Sequence, residues 1–495
     1  MSGAGPPRIA VVGAGISGLT AAYRLRTLLG PSAQIMLVEG SRRLGGALRT
    51  VELAGLPLDV GAEAFLMRRP EAVRLIEELG LGGQLVHPTA AVPTVRAGGR
   101  IVPLPTRTVL GLPGTAADVA GLLSAQGTQR VAAEPTVPLC WEPGQDAAVG
   151  MLLRERAGDE LVDRLVDPLL GGVYAGRADA LGLRATLPAV ATALDRGAGS
   201  LLAAAAGALP PLHGVSGSPA RRVRLSCTDP VFGTLLGGLG GLVDALAAAA
   251  AVQPRLGLLA RGLARTSAGW RLELGGGVSE ASRSEHLDVD AVILAVPAPA
   301  LRRLLAGPLP LASAAAGRVE VASSAVVGLA LPLAAAQALP EASGVLVAAS
   351  ERLSVKAFTF SGRKWAHASS TEVLVIRASL GRHGEARMLQ CDDAQLVDAV
   401  RADLAALTGI TVPPVATVVA RWGGGLPQYA PGHLDAVAAL EREVAASAGL
   451  AVAGATLHGV GVPACIATAD TAARRIAGYL ASRQATAASG GTMGS

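Results

Sequence analysis

A glycine-rich run near the N-terminus, GAGISG at residues 13–18, has the GxGxxG spacing of a turn that binds a pyrophosphate. Gly13 permits a tight turn, Gly15 lets the backbone approach the phosphates, and Gly18 allows close helix packing. The N-terminus of a following helix would add amide donors and the positive end of its dipole. Because ordinary glycine-rich turns share this spacing, the surrounding elements must decide between the two readings.

Those elements favour nucleotide binding. An apolar run from Arg8 to Val12 precedes the glycines, and an Ala/Leu-rich segment at helical spacing follows them. A second apolar run, Ile35 to Val38, ends in Glu39, where a carboxylate can accept hydrogen bonds from a ribose. The pattern predicts strand, turn, helix and strand of a Rossmann-like unit.

The continuation distinguishes FAD from NAD. Arg43, Gly45 and Gly46 follow Glu39 closely, and DVGAEAF begins at Asp59. This arrangement resembles the extended fingerprint of the flavin amine oxidase superfamily. In that superfamily an arginine and a glycine pair bring the chain back across the pyrophosphate and the isoalloxazine. The resemblance therefore implies an FAD cofactor.

A second motif, VAGATLHGVGVPACIATA, starts at Val452. An apolar strand ends in Gly454 and Ala455, and the turn at 460–462 leads into a helix whose N-terminus can face the pyrimidine end of a flavin. By itself the segment could be one more strand and helix that close a sheet. Beside the N-terminal motif, cofactor contact is the favoured interpretation, and His458 is interpreted as a polar packing residue.

Four further segments make the resemblance specific: PLLGGVYAG, KAFTFSGRKW, RWGGGLPQYAPGH and GVGVPACI. They resemble the protoporphyrinogen and coproporphyrinogen oxidase family over the chain from about Arg8 to Tyr479. The FAD is expected to be noncovalent, since no Cys or His lies in a flavin-linkage motif. The resemblance and the motifs together imply these FAD-binding residues: Gly13, Ala14, Gly15, Ile16, Ser17, Gly18, Glu39, Gly40, Arg43, Gly45, Gly46, Ala47, Gly61, Ala62, Glu63, Ala64, Ala260, Trp422, Ala455, Val460, Gly461 and Val462.

The same resemblance places Gly344, Leu346 and Ser379 around a porphyrinogen macrocycle. Some family members carry an arginine at the position where this chain has Pro93. The bacterial branch instead has basic residues after a GxxxFL segment, matched here by the adjacent pair Arg68–Arg69. These arginines would bind a propionate or would be solvated surface charges.

The resemblance implies a six-electron oxidation in haem biosynthesis. Flavin N5 would accept hydride from the substrate, and dioxygen would reoxidise the flavin and be reduced to hydrogen peroxide. No catalytic side chain is expected, because the flavin carries the reaction. Coproporphyrinogen III is favoured over protoporphyrinogen IX by the net charge of +5, by the two adjacent arginines and by Pro93. The alternatives are an amine oxidase, a carotenoid desaturase, or a flavin-holding protein without turnover.

Length and composition predict the organisation. A chain of 495 residues is longer than a single hydrophobic core supports, so more than one domain is expected. The 51% hydrophobic content is mainly aliphatic, since aromatic residues make up only 2%. The predicted fold class is α/β, with a discontinuous Rossmann-like FAD-binding domain, a sheet-based substrate domain and a helical insertion. The FAD-binding domain takes residues 6–90, 216–307 and 431–483, the insertion 91–215, the substrate domain 308–430 and a disordered tail 484–495.

Other functions find little support. Lys356 and Lys364 are the only lysines, and no basic run suggests nucleic-acid binding. Four scattered cysteines and the histidine spacing predict a reduced, cytoplasmic protein without a metal site. No signal peptide or transmembrane segment is predicted, while peripheral membrane contact and contact with downstream haem-pathway enzymes stay open.

Overall fold

A computed structural model describes residues 5–210, 230–276 and 284–490. A parallel five-stranded sheet forms its first layer. Three of its strands, Arg8–Val12, Ala291–Leu294 and Leu450–Val452, are short apolar runs that are almost wholly buried, as in a sheet that is covered on both faces. In spatial order its strands are Pro254–Leu256, Gln34–Glu39, Arg8–Val12, Ala291–Leu294 and Leu450–Val452. Their carboxyl ends share one edge, which is where ligands bind in such sheets.

Two helices start at that edge and pack against each other. The helix Ile16–Leu29 follows the first glycine-rich run, and the helix Val462–Gly490 follows the C-terminal motif. Three other helices flank the same sheet or its neighbours: Gly240–Ala250, Ala298–Leu305 and His433–Ala445. A smaller antiparallel sheet adjoins them, with strands Leu258–Arg265, Trp270–Gly276 and Ser284–Val289.

A mixed seven-stranded sheet forms the second layer. Its strands, in spatial order, are Ala416–Pro427, Val321–Pro332, Val373–Leu380, Val355–Thr359, Ala342–Val347, Val92–Ala97 and Arg100–Pro103. Side chains of one face pack against the helix Asp393–Thr408. The opposite face, which we call the site face, turns toward the hairpin Thr50–Leu53 and Leu56–Asp59 and toward a group of helices.

Those helices enclose a separate apolar core and cover part of the site face. Leu346 of the large sheet packs into this core, which is built mainly from Leu, Val and Ala. The helices are Ala125–Ala133, Val149–Ala157, Asp159–Leu161, Asp167–Tyr174, Leu183–Thr186, Pro188–Asp195 and Leu201–Ala208. Short strands lie beside these layers: Phe65–Leu66, Leu85–Val86 and Phe232–Leu235 form one sheet, and Thr108–Val109 pairs with Leu112–Pro113. The helix Pro70–Glu78 follows the first of them.

The predicted fold class is confirmed, and three details differ from the expected boundaries. The segment that was expected to start the helical insertion forms the strands Val92–Ala97 and Arg100–Pro103, because the first pairs in parallel with Ala342–Val347. The helix Pro310–Gly317 packs beside Ala298–Leu305 rather than opening a sheet. The final helix continues to Gly490, past the predicted start of a tail at 484, as its alanines favour.

The predicted boundary at residue 215 falls outside the described residues, as do residues 491–495 of the predicted tail. Across the ranges that the structure describes, no helix is long and apolar enough to cross a membrane.

Candidate functional site

Two glycines of the first motif are required by the protein's own packing. Gly13 has φ +98°, and a Cβ there would lie 2.3 Å from the carbonyl oxygen of Ala295. A Cβ on Gly18 would lie 1.7 Å from the carbonyl oxygen of Gly13. These contacts hold the turn against the strand Ala291–Leu294 and fix the start of the helix Ile16–Leu29.

Gly15 is different, because no contact among the described residues requires a glycine there. Its backbone is extended (φ −73°, ψ −176°), and the nearest atom to an added Cβ is Gly46 Cα at 3.8 Å. The space beside Gly15 is therefore free of protein atoms at the N-terminus of a helix. A bound pyrophosphate would fill it, so the residues present fit the phosphates of FAD.

Glu39 ends its strand beside this turn. Its Oε2 accepts a hydrogen bond from Ala14 N at 2.7 Å, and its Oε1 accepts one from Ser41 N at 2.8 Å. Both bonds orient the carboxylate and leave lone pairs free for ribose hydroxyl groups. Ala260 lies nearby, because Gly257 N donates to Ser41 O at 2.9 Å, but the Ala260 carbonyl already accepts from Arg303 Nη2 at 3.0 Å.

The loop after Glu39 returns to the glycine-rich turn, as the motif predicted. Gly45 N donates to Ala14 O at 2.8 Å, and Gly46 lies against Gly15, since a Cβ on Gly46 would approach Gly15 Cα to 3.0 Å. Arg43 Nη2 donates to Gly46 O at 2.7 Å and so holds the loop. Its guanidinium also lies 5.4 Å from the ring centre of Trp422, and burial lowers the pKa of Arg43.

The next segment, residues 61–64, lies between this loop and the large sheet. Ala62 N donates to Ala47 O at 2.9 Å, and a Cβ on Gly61 would lie 1.9 Å from the same oxygen. Trp422 Nε1 donates to Val60 O at 2.8 Å, and Arg377 Nη2 donates to Gly61 O at 2.6 Å. The segment is thereby fixed from both sides.

Glu63 is the buried anion of this segment. Its Oε2 accepts a hydrogen bond from Lys364 Nζ at 2.8 Å and lies 3.8 Å from Arg377 Nη1, while Ser361 Oγ donates to Oε1 at 3.2 Å. Burial by itself would raise the pKa of Glu63, but the charges of Lys364 and Arg377 outweigh it and lower the pKa to about 2. Glu63 is therefore a carboxylate at all physiological pH values.

The C-terminal motif lies directly against the first one. Ser17 Oγ donates to Cys465 O at 3.1 Å, which joins the starts of the two helices. Tyr429 Oη donates to Ala455 O, and its ring stacks on His433 at a centroid distance of 4.0 Å. The RWGGGLPQYAPGH segment thus supports the turn that leads to Val460, Gly461 and Val462. Val460 itself packs against the same core as Leu346.

His458 forms an ion pair at the surface. Its Nε2 lies 2.8 Å from Glu441 Oε1, and this carboxylate raises the pKa of His458. The side chain is half exposed. Its partner is thus a surface carboxylate of the helix His433–Ala445.

The predicted substrate residues share the site face of the large sheet. Leu346 pairs with Ala357, which pairs with Ser379, so these residues form one row across three strands. A parallel row contains Pro93, Gly344, Thr359 and Arg377. Because side chains alternate across a strand, both rows lie on the face opposite the packed helix Asp393–Thr408.

Arg68 and Arg69 do not join these rows. Both are exposed, and Arg69 precedes the first residue of the helix Pro70–Glu78. Arg69 Nη2 pairs with Glu71 Oε1 at 3.1 Å.

Sequence reasoning missed several residues that hold the site together: Arg377, Lys364, Lys356, Arg382 and Tyr429. Arg377 could have been found from the alternation in VLVIRASL, where Arg377 and Ser379 are the polar residues of an otherwise apolar strand. Within the part of the chain that the structure describes, no cluster of three or more His, Cys, Asp or Glu side chains could hold a metal ion.

Comparison with known proteins identifies the family. The flavin containing amine oxidoreductase family matches residues 16–477. A Mycobacterium tuberculosis protein named coproporphyrinogen III oxidase is 44% identical over 469 residues, which cover 94% of this chain and 96% of the relative. A Bacillus subtilis protein of the same name is 30% identical over 474 residues, covering 93% and 96%.

Solved structures agree with this grouping. A chain from Exiguobacterium named as a protoporphyrinogen oxidase superposes with a TM-score of 0.81 at 30% identity, covering 96% of this chain and 99% of the other. Reduced UDP-galactopyranose mutase, at 15% identity and a TM-score of 0.68, shares the fold alone. The predicted FAD cofactor and the predicted oxidoreductase class are confirmed by this family membership. The chain belongs to the flavin containing amine oxidoreductases and, within them, to the protoporphyrinogen and coproporphyrinogen oxidase family.

Proposed function

We propose that this chain is a cytoplasmic FAD-dependent oxidase that converts coproporphyrinogen III to coproporphyrin III in haem biosynthesis. The reaction removes six electrons and uses dioxygen, which leaves as hydrogen peroxide. The names of relatives that match almost the whole chain support this substrate.

One observation carries the proposal. The rows of Gly344, Leu346 and Ser379 lie on a sheet face that is tied to residues 61–64 through Arg377. The apolar positions of this face suit the flat macrocycle, and its cations suit the propionate groups of the substrate. A porphyrinogen bound there would lie beside the segment on which the family's flavin rests.

We assign the cofactor to five groups of residues. The turn at 13–18 and Glu39 would hold the pyrophosphate and ribose, Arg43, Gly45, Gly46 and Ala47 would cover them, and residues 61–64 with Trp422 would support the ring. Ala455 and the helix N-terminus at 460–462 would face its pyrimidine end, and Ala260 would contribute its backbone N–H near the adenosine. When bound, FAD supplies the redox chemistry by accepting electrons in pairs and passing them to dioxygen.

The protein's own task is positioning. The aliphatic side chains around Leu346 exclude water from one side of the bound macrocycle, and Arg377 holds residues 61–64 against the sheet at 2.6 Å. Arg68 and Arg69 could reach a propionate only at the rim, because both are exposed. None of these roles needs a general acid or base.

We assign the cofactor and the substrate to separate domains. We assign residues 6–90, 216–307 and 431–483 to the FAD-binding domain and 308–430 to the substrate domain, which also takes the strands at 92–103. The helical insertion then covers the site face from residue 104 onward.

Turnover of coproporphyrinogen III by the purified holoenzyme tests the proposal. Growth of coproporphyrin fluorescence should be accompanied by three molecules of hydrogen peroxide for each porphyrin formed. Fluorescence no faster than in a control without enzyme would contradict the proposed function.

A further inference from the structure

Three cations lie along the site face from one end to the other, and two of them, Lys356 and Arg382, are buried. Arg377 lies in the row of Gly344, and Lys356 sits at an irregularity of the next strand, between Val355 and Ala357. The register shift interrupts the alternation of side chains there, and contacts show where Lys356 lies: its Nζ donates to Gly381 O, and the charges of Arg382 and Arg377 act on it. Arg382 follows the strand Val373–Leu380, and its Nη2 donates to Val347 O at 3.0 Å. The three therefore flank the row formed by Leu346, Ala357 and Ser379.

Two of these cations have carboxylates nearby, and the third has none among the residues that the structure describes. Arg377 faces Glu63, and Arg382 interacts with Asp167 of the covering helix Asp167–Tyr174. Lys356 is 4% exposed, and its Nζ donates to a backbone carbonyl, Gly381 O, at 3.0 Å. Within residues 5–210, 230–276 and 284–490, the charges that act on Lys356 are those of Arg382 and Arg377, both positive.

A buried ammonium without an anion is costly, because burial removes its hydration and the neighbouring cations repel it. The arrangement lowers the pKa of Lys356 to about 7, mainly through burial and then through Arg382 and Arg377. Stability alone gives no reason for a lysine here, since an apolar side chain of similar length would fill the space at lower cost. An anionic group that arrives with a ligand would remove this penalty.

We propose that Lys356 and Arg382 form a carboxylate-binding subsite on the site face, which holds one propionate of the substrate at the end away from Arg377. This inference rests on the proposed function, because it is the porphyrinogen that brings the carboxylate. The subsite would add to substrate specificity. Coproporphyrinogen III has four propionates and can bind one at Lys356 while the others stay at the rim, whereas protoporphyrinogen IX has only two propionates.

Binding at this subsite is coupled to proton uptake. The free Lys356 is partly neutral above pH 7, and a bound carboxylate raises its pKa, so affinity falls as the pH rises above 7. The other charged groups on this side of the sheet are Arg377, which faces Glu63, and Arg382, which interacts with Asp167. The Glu63 carboxyl, whose pKa is lowered to about 2, stays ionised across this range. The product coproporphyrin III is a suitable probe because it is stable in air.

The test is a titration of FAD-loaded protein with coproporphyrin III from pH 6.5 to 9, followed by porphyrin absorbance. Lys356→Met should weaken binding by about tenfold or more at pH 7, and Arg382→Met should weaken it by a comparable factor. Lys356→Arg should retain tight binding and lose the decline above pH 7. Arg100→Met, which removes an exposed cation from the edge strand of the same sheet, is the matched control and should bind as the wild type does.

Two outcomes separate the inference from the proposed function. If wild-type protein binds coproporphyrin III and Lys356→Met binds it equally well, the subsite is wrong while the proposed function stands. If wild-type protein neither binds coproporphyrin III nor oxidises its porphyrinogen, both are wrong. A folded Lys356→Met variant is expected, because it replaces a buried charge by an apolar side chain of similar size.

Discussion

Glu63 accepts a 2.8 Å hydrogen bond from Lys364 Nζ, and this contact joins the loop after the strand Leu56–Asp59 to the large sheet. The two residues are about three hundred positions apart in the chain. Arg377 reinforces the pair and also donates to Gly61 O. One buried carboxylate thus fixes the relative position of the predicted flavin support and the site face.

Replacement of Glu63 by glutamine should therefore destabilise the holoenzyme. The change leaves Lys364 and Arg377 without their buried anion, at a cost of about 3 kcal/mol in the free energy of unfolding at pH 7. Denaturant unfolding with saturating FAD measures this cost. Glu78→Gln is the control, because the ion pair between Glu78 and Arg24 is more exposed and should contribute less than about 1 kcal/mol. An equal loss in both variants would contradict the role of Glu63.

The pH dependence of this difference has a defined sign. The pKa of Glu63 is lowered to about 2 in the folded protein from an ordinary value of 4.5. Its stabilising contribution is present above pH 4.5 and is lost as the pH falls toward 2. The difference between wild type and Glu63→Gln should thus shrink between pH 5 and pH 3, and a constant difference would contradict the assignment.

Gly15→Val should abolish FAD binding without preventing folding. The added side chain enters space that is free of protein atoms but is needed by the pyrophosphate. The ratio of flavin to protein absorbance should fall to near zero, while circular dichroism stays that of the apoprotein. Gly18→Val is the contrast, since its Cβ overlaps Gly13 O and should impair folding. Normal flavin content in Gly15→Val would show that the phosphates bind elsewhere.

Much of the cofactor site could be predicted from sequence because its residues act through local backbone geometry. Gly13, Gly18 and Glu39 lie within one strand, turn, helix and strand unit, in which Gly18 packs against Gly13 O and Glu39 accepts from Ala14 N. The cations of the site face could not be assigned in this way. Arg377 and Lys356 acquire their environment only when the sheet pairs, and Glu63 meets Arg377 from a different layer.

Long-range strand pairing also explains why residues 92–103, which were predicted to belong to the helical insertion, form two strands of the large sheet. Their partner, Ala342–Val347, is about 250 residues away, and no local pattern reports a parallel pairing of that range. The helix Asp393–Thr408 lies within the predicted sheet-based domain and was not predicted as a separate element, although its capping box is a local sequence signal for a helix start.

FAD should be bound noncovalently. Cys465, in the helix that follows the C-terminal motif, is buried, and burial raises the pKa of its thiol to about 11, so almost no thiolate is present to attack a flavin. Acid precipitation should release all of the yellow colour into the supernatant. Flavin that remains with the pellet after washing would contradict noncovalent binding.

Arg68 and Arg69 should contribute unequally to turnover of the substrate. Arg69 is paired with Glu71, whereas Arg68 is exposed at the surface. Arg68→Ala should lower kcat/KM for coproporphyrinogen III by about fivefold, as expected for an exposed charge pair of about 1 kcal/mol, and Arg69→Ala should lower it less. Arg74→Ala, which removes another exposed arginine nearby, is the control. Equal activity of Arg68→Ala and Arg74→Ala would exclude a propionate contact at Arg68.

Anaerobic reduction of the bound flavin tests the central claim most directly. Coproporphyrinogen III mixed with the oxidised holoenzyme without oxygen should bleach the flavin absorbance near 450 nm, and readmitted air should restore it. Protoporphyrinogen IX should bleach it more slowly at equal concentration. A flavin that stays oxidised in the presence of coproporphyrinogen III, or that is reduced faster by protoporphyrinogen IX, would contradict the proposed function.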